Sequence, residues 1–435
     1  MLRGEQGDRV TGSQPESDSD IADPELAETG SAKIAWAERA MPALGLLRHQ
    51  FAGTTPFAGR TIAACLHVTA ETAGLVRALT AGGALVRLAA SNPLSTQDDI
   101  AAAVASWPGV CVQAQSAVDR ATYYSHIHRV LDGAPELVID DGGDLVHTLH
   151  AERPELLPSV IGGCESTATG VVRLRQMAAA GTLAFPVVAA DASVTRRMFD
   201  NGYGTGQSVI DALLRATNML LAGKTIVVAG YGSSGGAIAE RAAGLGAHVI
   251  ITEVDPVRAL GALGRGFRVL PMAQAAPIGD VFITATGSRD VIAAPHLAVM
   301  RDGAVLANAG HFDVEIDVRA LDGLAVQVNR GVRPHADEYV LDDGRRLILL
   351  AEGRVVNLIA AEGNPAAVMD LSFAAQALAL AWLTAGEHGL AAGVYPMPEE
   401  IDTQVAGLTL AALGAGIDEL TPGQQEYLAS WGYGS

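Results

Sequence analysis

The sequence is short of aromatic residues, of cysteine and of positive charge, and each shortage excludes something. Aromatics make up 5% of the 435 residues, so Ala, Val, Leu and Gly must fill whatever cores the chain builds. Three cysteines, Cys65, Cys111 and Cys164, give no even disulfide set and no C-x-x-C pair. That usage fits a reducing cytoplasm, the expected location. Lys and Arg number 29 against 48 Asp and Glu, a formal net charge of −19. A nucleic-acid partner needs clustered basic residues to neutralise phosphates, so none is expected. No apolar run reaches the roughly 18 residues of a transmembrane helix without a charge or Gly break, which leaves no membrane partner. The N-terminus carries no secretory apolar segment. Residues 1–22, MLRGEQGDRVTGSQPESDSDIA, are polar and read as a disordered tail. No zinc or calcium ligand spacing emerges, so no metal is expected.

Hydrophobic residues, by contrast, reach 49% and charged ones only 18%, enough apolar material for large cores in two or three domains. Two regions alternate strand and helix patterns. The first runs through RTIAACLHVT (60–69), the helical ETAGLVRALTAGG (71–83), ALVRLAAS (84–91), VCVQA (110–114) and LVIDD (137–141). The second begins near Gly223 with TIVVAG and a Gly-rich turn, continues through helix SGGAIAERAAGLG, and adds HVIITE (248–253), VFITAT (281–286) and AVLANAG (304–310). Helical segments around 365–385 and 400–414 follow. The alternation predicts an α/β protein with two doubly wound, Rossmann-like domains.

The turn AGYGSSGGAIAE (229–240) holds Gly230, Gly232 and Gly235 in the spacing G-x-G-x-x-G, between a strand and a helix. Gly230 allows the tight turn, Gly232 lets backbone approach a pyrophosphate, and Gly235 lets the helix pack close to the strand. The helix N-terminus offers free N–H groups to an anion. Glu253 closes the next strand, where a carboxylate bonds ribose hydroxyls and repels a 2′-phosphate, so NAD is the expected cofactor. A Gly-rich turn with no ligand is the bland alternative.

In open α/β sheets ligands collect beyond the carboxyl ends of the strands. His67 and Thr69, Asn92, Ser95, Thr96 and Gln97, Asp140, Asp141 and Asp144, Thr286 and Gly287, and Asn308 and His311 all fall there. Asp and Asn in such turns also cap helices, and a single His is often structural.

Several strings together resemble the S-adenosylhomocysteine hydrolase family: CLHVTAETA (65–73), SNPLSTQDD (91–99), IDDGGDL (139–145), SVTRRMFDNGYG (193–204), VVAGYGSSGG (227–236), VIITEVDP (249–256), NAGHFDVEID (308–317) and LLAEGRVVNL (349–358). The resemblance runs from about residue 20 almost to the C-terminus. It implies a split substrate domain, an inserted NAD domain, a hinge, and a homo-oligomer, tetramer or dimer. The implied boundaries are 23–206 for the first part of the substrate domain, 207–360 for the NAD domain, 361–405 for returning helices and 406–435 for a C-terminal segment. The implied chemistry oxidises the 3′-hydroxyl of a nucleoside to a ketone. Loss of the acidified C4′ proton then expels the 5′ substituent. Water adds to the resulting alkene, and the hydride returns.

Roles follow position by position from the resemblance. His67 and Asp141 match acid/base residues near the 5′ carbon, and His311 matches the histidine beside the reacting ribose. Asp200 and Asn201 match ribose- and nicotinamide-side residues. Thr69 and Glu71 match adenine contacts; Glu253, Asn308 and Asn357 match NAD contacts, with Thr286 and Gly287 on the cofactor side. Asp144, Asp313 and Arg354 match the polar end that receives homocysteine.

The departures gather around the sugar. Arg196 stands where the family has Lys, and Arg does not give up its proton; it can orient groups or stabilise an oxyanion. The family's E-E-T-T-T-G is here Glu165-Ser166-Thr167-Ala168-Thr169-Gly170, so a ribose-hydroxyl acceptor has become Ser166, beside Thr167. Asn364 replaces a His near the adenine, Thr205 a Cys, and Asp191 an Asn. The sequence reads to LASWGYGS without the family's C-terminal extension, which is therefore not expected here. Several changes in one pocket suggest a changed substrate. The reading is an NAD-dependent nucleoside dehydratase that yields a 4′,5′-alkene, as in nucleoside antibiotics of the angustmycin type, acting on an adenine nucleoside. Two alternatives stand beside it: an ordinary S-adenosylhomocysteine hydrolase, and an inactive homologue that binds NAD and nucleoside to regulate a partner.

Overall fold

A computed structural model describes residues 18–386 and 389–432. Most of the expected N-terminal tail, residues 1–17, lies outside them. Residues 18–22 correct that expectation: Asp20–Ile21 is an edge strand, parallel to Val110–Ala114 in the register Asp20↔Gln113. Arg129 Nη1 holds the Asp20 carboxylate at 2.8 Å. A two-residue strand anchored by ion pairs leaves no apolar pattern to read.

Two eight-stranded sheets organise the chain. In the first, the order is Asp20–Ile21, Val110–Ala114, Leu85–Ala90, Thr61–Leu66, Leu137–Asp140, Gly162–Glu165, Pro186–Ala189 and Gly393–Pro396, all parallel. The chain builds outward from Thr61–Leu66 in one direction, then returns to build outward on its other side. The order therefore reverses between Thr61–Leu66 and Leu137–Asp140, which opens a crevice at their carboxyl ends.

The second sheet repeats the plan. Thr225–Ala229, His248–Thr252 and Arg268–Val269 run one way; Val281–Thr284, Ala304–Asn308 and Arg346–Leu350 run the other. Its order reverses between Thr225–Ala229 and Val281–Thr284, directly above the glycine turn. Ala336–Leu341 and Ala325–Arg333 extend this sheet antiparallel, which the sequence reading did not anticipate. The return segment likewise holds a strand, Gly393–Pro396, between its helices Ala366–Ala385 and Glu399–Ala412.

Helix Ala366–Ala385 is long and apolar enough to cross a membrane, yet it is core. Phe373, Ala374, Leu378 and Leu380 pack with Ile62, Leu66 and Leu75 of the first domain. Its buried Asp370 is satisfied by the backbone N–H groups of Ala43 at 2.9 Å and Leu44 at 2.7 Å, capping helix Pro42–Thr54.

The chain crosses between sheets twice. The outward crossing is Arg197–Gly204, wound as a π-helix, followed by Thr205–Thr217. The inward crossing is Val356–Ile359 and the loop to Ala366. Ser208 ties them: its hydroxyl donates to Asn364 Oδ1 at 2.8 Å and accepts from Asn357 Nδ2 at 3.0 Å.

Candidate active site

Both crevices face one cleft of about 410 Å3 between the sheets. From the first crevice come His67, Thr69, Glu71, Asp141, Ser166, Thr167, Arg196, Asp200 and Asn201. The second supplies Gly232, Thr286, Gly287, His311 and Asn357, and the inward crossing adds Asn364. Most of the residues picked from strand ends therefore converge on one space.

His67 and Asp141 follow the two strands that flank the first crevice. His67 Nε2 lies 3.2 Å from Asp141 Oδ2, and Nδ1 lies 2.6 Å from Ser95 Oγ. The Ser95 hydroxyl proton is directed to Asn92 O at 3.0 Å, so the hydroxyl accepts the Nδ1 proton. Nε2 then faces Asp141 as a lone pair: two acceptors that one proton would bridge. Burial pulls His67 down to about 4, against the pull of Asp141, so the ring is neutral at pH 7. Burial opposes the Asp141 charge too. His67, His311, the 2.6 Å bond from Ser166 Oγ and Arg196 outweigh it and hold the carboxyl below its ordinary range.

His311 meets His67 edge to face, with ring centres 5.9 Å apart. Gly142 permits that approach. It sits at φ +109°, and a Cβ there would lie 2.6 Å from His311 Nε2. The donor atoms of His67, Asp141 and His311 lie within 4.8 Å of one another, a set that could hold a metal ion. Residues so far apart in sequence carry no ligand spacing, which is why the sequence pointed to no metal.

Arg196 is mostly buried and locked in its charged form. Burial works against the charge, but Asp200, Asp141 and Asp191 more than restore it. Its Nε bonds Asp200 Oδ2 at 3.1 Å and its Nη1 donates to Ser166 O. Asp200 also accepts from Asn364 Nδ2. A continuous chain of bonds thus runs from Asn357 through Ser208, Asn364, Asp200 and Arg196 to the Ser166 loop and Asp141. Neither Ser208 nor this chain was legible in the sequence.

Beneath the site lies a buried pair from adjacent strands, Asp140 and Glu165, which are register partners. Glu165 Oε1 accepts from Gly142 N at 3.0 Å and from Thr167 N and Oγ1 at 2.8 Å each, so it binds the Asp141 loop to the Ser166 loop. Burial and the facing Asp140 push Glu165 well above the carboxylate range. Burial and the neighbouring carboxylates push Asp140 up to about 7, against the Val146 N–H.

The glycine turn fits a dinucleotide. Gly230 has φ +96°, and a Cβ on Gly235 would lie 2.0 Å from Gly230 O. Gly232, at the start of helix Ser233–Gly244, has no side-chain cap, so the first helical N–H groups stay free for an anion. A Cβ there would meet only Arg258 Nη1, at 3.8 Å. Asn357 Oδ1 is buried without a partner at the cleft.

Four expected cofactor residues do not line the cleft. Gly230 and Gly235 shape the turn from behind. Glu253 folds onto the backbone N–H groups of Tyr231, Val254 and Asp255, at 2.7, 2.7 and 3.0 Å. Asn308 is fully buried; it donates to Phe312 O and Gly353 O and accepts from Gly310 N. Both side chains hold the loops that a cofactor would touch. Glu315, which the sequence reading passed over, does the same for Thr286 and Gly287.

Asp144, Asp313 and Arg354 line a second cavity of about 380 Å3, which shares His311 with the first. Arg354 reaches Asp313 at 3.8 Å, and Asp144 is held by Arg173 at 2.8 Å.

Comparison with known proteins decides what this arrangement is. Residues 18–159 match the model of S-adenosyl-L-homocysteine hydrolase, and residues 201–363 that of its NAD-binding domain. The adenosylhomocysteinase of Aquifex aeolicus is 54% identical over 96% of this chain and 99% of its own.

The chain belongs to the S-adenosyl-L-homocysteine hydrolase family.

A second family member, from Thermosynechococcus vestitus, is 53% identical over 96% of this chain and 97% of its own. A third relative, the S-inosyl-L-homocysteine hydrolase of Methanosarcina mazei, is 49% identical over 95% of this chain and all of its own. As a member of this family the protein is an enzyme of the adenosylhomocysteinase type with NAD as its cofactor. The match to the NAD-binding domain, residues 201–363, takes in the glycine turn and the second crevice.

Proposed function

We propose that the enzyme performs NAD-dependent oxidation–elimination on an adenine nucleoside carrying a 5′ substituent. Gly232, Asn357, Thr286 and Gly287 line the wall that would hold NAD, which when bound would take a hydride from the sugar 3′ carbon and give it back. The chain's own residues do the rest. Asp141 and His67 share a site for one proton, which suits removal of the acidified C4′ proton and protonation of the leaving 5′ group. Arg196, permanently charged, steadies negative charge near the sugar without taking a proton. Asp200 and Asn364 fix Arg196, and Glu165 beneath fixes the loop that carries Asp141. The single observation behind this reading is the meeting of His67, Asp141 and His311 with the glycine-turn wall in one cleft.

The cycle can end in two ways. Hydrolysis, with homocysteine as the leaving group and water added back, is supported by the relatives and by the second cavity, whose Asp144, Asp313 and Arg354 offer both signs of charge to an amino-acid tail. Dehydration, with water as the leaving group and the alkene kept, is supported by one feature: Ser166 presents a short hydroxyl already donated to Asp141, so the sugar side has lost an acceptor and gained room. The family membership favours hydrolysis.

One incubation separates them. NAD-loaded enzyme receives S-adenosylhomocysteine, adenosine or a ketohexose adenine nucleoside, and products are weighed by mass spectrometry. Released homocysteine supports hydrolysis. A nucleoside lighter by one water supports dehydration. Bound NAD that no nucleoside reduces sinks both and leaves a binding protein.

A further inference from the structure

Arg196 has to be aimed as well as charged. Its Nε donates to Asp200 and its Nη1 to Ser166 O, so the guanidinium spans two loops and follows any shift of the backbone that carries it. That backbone is a three-residue helix, Val194–Arg196, which runs straight into the π-wound outward crossing Arg197–Gly204. The first N–H groups of such a turn have no partner inside the helix and need one elsewhere.

A carboxylate from the return segment supplies it. Asp402 lies on helix Glu399–Ala412, 209 residues beyond Ser193. It accepts from the hydroxyls of Ser193 and Thr195, at 2.7 Å each, and from the backbone N–H groups of Val194 at 2.8 Å and Thr195 at 3.1 Å. Ser193 is fully buried. Because its hydroxyl proton goes to Asp402, it keeps a lone pair for Arg196 N–H, at 3.0 Å. Burial opposes the Asp402 charge, but the Thr195 and Ser193 hydroxyls and the two N–H groups outweigh it and hold the carboxyl below its ordinary range. The platform behind it is firm: Ile401 and Val405, on the same helix, are buried in the core of the first domain. Asp402 is not among the residues that line the cleft, so any effect on the reaction has to travel through the turn.

We propose that Asp402 is a positioning residue for the reaction: from outside the cleft, through Ser193 and the turn Val194–Arg196, it sets the aim of Arg196 toward the sugar. This rests on the role given to Arg196 in the nucleoside reading above.

The test follows the C4′ proton of adenosine in deuterated water. NAD-loaded enzyme that oxidises the 3′ carbon, removes the C4′ proton and reverses both steps returns adenosine with deuterium at C4′, whatever group leaves C5′ in the full cycle. NMR of recovered adenosine reads the exchange rate, and equilibrium dialysis reads adenosine affinity. Arg196→Gln removes the charge that steadies the carbanion and slows exchange about 10²- to 10³-fold. Asp402→Ala keeps the guanidinium but frees its turn; a misplacement of about 1 Å slows exchange about 10- to 100-fold, while adenosine affinity falls by less than the exchange rate. Asp402→Asn keeps one acceptor oxygen for the two hydroxyls, falls in between, and carries the test if the alanine variant does not fold. The decisive arm is each Asp402 change placed on Arg196→Gln. Residues that act as one unit are not additive, so the double variant exchanges no more slowly than Arg196→Gln alone. Losses that multiply in the double variant overturn the proposal, because they mark a structural role independent of Arg196. Wild-type exchange in both Asp402 variants overturns it as well, and leaves the nucleoside reading standing. Wild-type exchange in Arg196→Gln removes the role given to Arg196, and no exchange in wild type removes the nucleoside reading itself; either result takes this inference with it.

Discussion

Asp141→Asn should divide the reaction into its two halves. The carboxylate accepts the Ser166 hydroxyl at 2.6 Å and faces His67 Nε2 at 3.2 Å. An amide oxygen can still accept the serine proton, and Arg196 keeps its partner Asp200 at 3.1 Å, so the loops should hold their places. What disappears is the anion that completes the proton site with neutral His67. A positioned acid–base group contributes about 10²- to 10⁴-fold in rate, or about 3–5 kcal/mol of barrier. The hydride step at the sugar carbon does not use this pair. The variant should therefore reduce its bound NAD on mixing with nucleoside at close to the wild-type rate, while elimination product falls by about 10²- to 10⁴-fold. Stopped-flow absorbance of the reduced nicotinamide reads the first step, and mass spectrometry of quenched samples the second. Loss of NAD reduction with elimination otherwise intact would refute the assignment, as would both steps running at the wild-type rate.

Three further outcomes follow from the same geometry. Because His67 is depressed to about 4 from its ordinary 6.5, the unfolded chain binds a proton that the folded one refuses, and stability falls as pH drops through that window. The contribution is about 3 kcal/mol, so His67→Gln should flatten the acid side of the urea-midpoint profile; an unchanged difference from wild type across that window would count against a buried neutral ring. Asp140 and Glu165 are shifted the opposite way. Their stabilisation is fully present at acid pH and is lost as pH rises above the ordinary carboxylate range, up to about 7 for Asp140, so Glu165→Gln should lose less stability than wild type as pH rises from about 4 to about 7, as read from thermal midpoints. In Gly235→Ala the new Cβ would lie 2.0 Å from Gly230 O; purified variant should carry little NAD on release by denaturation, and a full complement would contradict the role given to the turn.

Much of the scaffold could be read from the chain because its strands are short apolar runs. Thr61–Leu66, Val110–Ala114 and Thr225–Ala229 fall inside the runs quoted for them. The missed strands had no such signature. Gly162–Glu165 is half glycine and ends on a buried acid, and Ala325–Arg333 is largely exposed at a sheet edge. The site was partly legible for the same reason: a polar residue just past a buried strand has to face the crevice. The failures were of side-chain direction. Glu253 and Asn308 occupy the expected places, but their polar atoms bond backbone N–H and C=O groups of the loops, which no spacing reveals. Glu165 and Ser208 gain their meaning only from partners far off in the sequence.

The central claim is that a bound nicotinamide briefly oxidises a sugar carbon so that the neighbouring C–H bond can break. A nucleoside deuterated at C3′, quenched during turnover on the NAD-loaded enzyme, tests it directly. Deuterium should appear in the bound cofactor and return to the product. Product formed with no deuterium ever entering the cofactor would contradict the account.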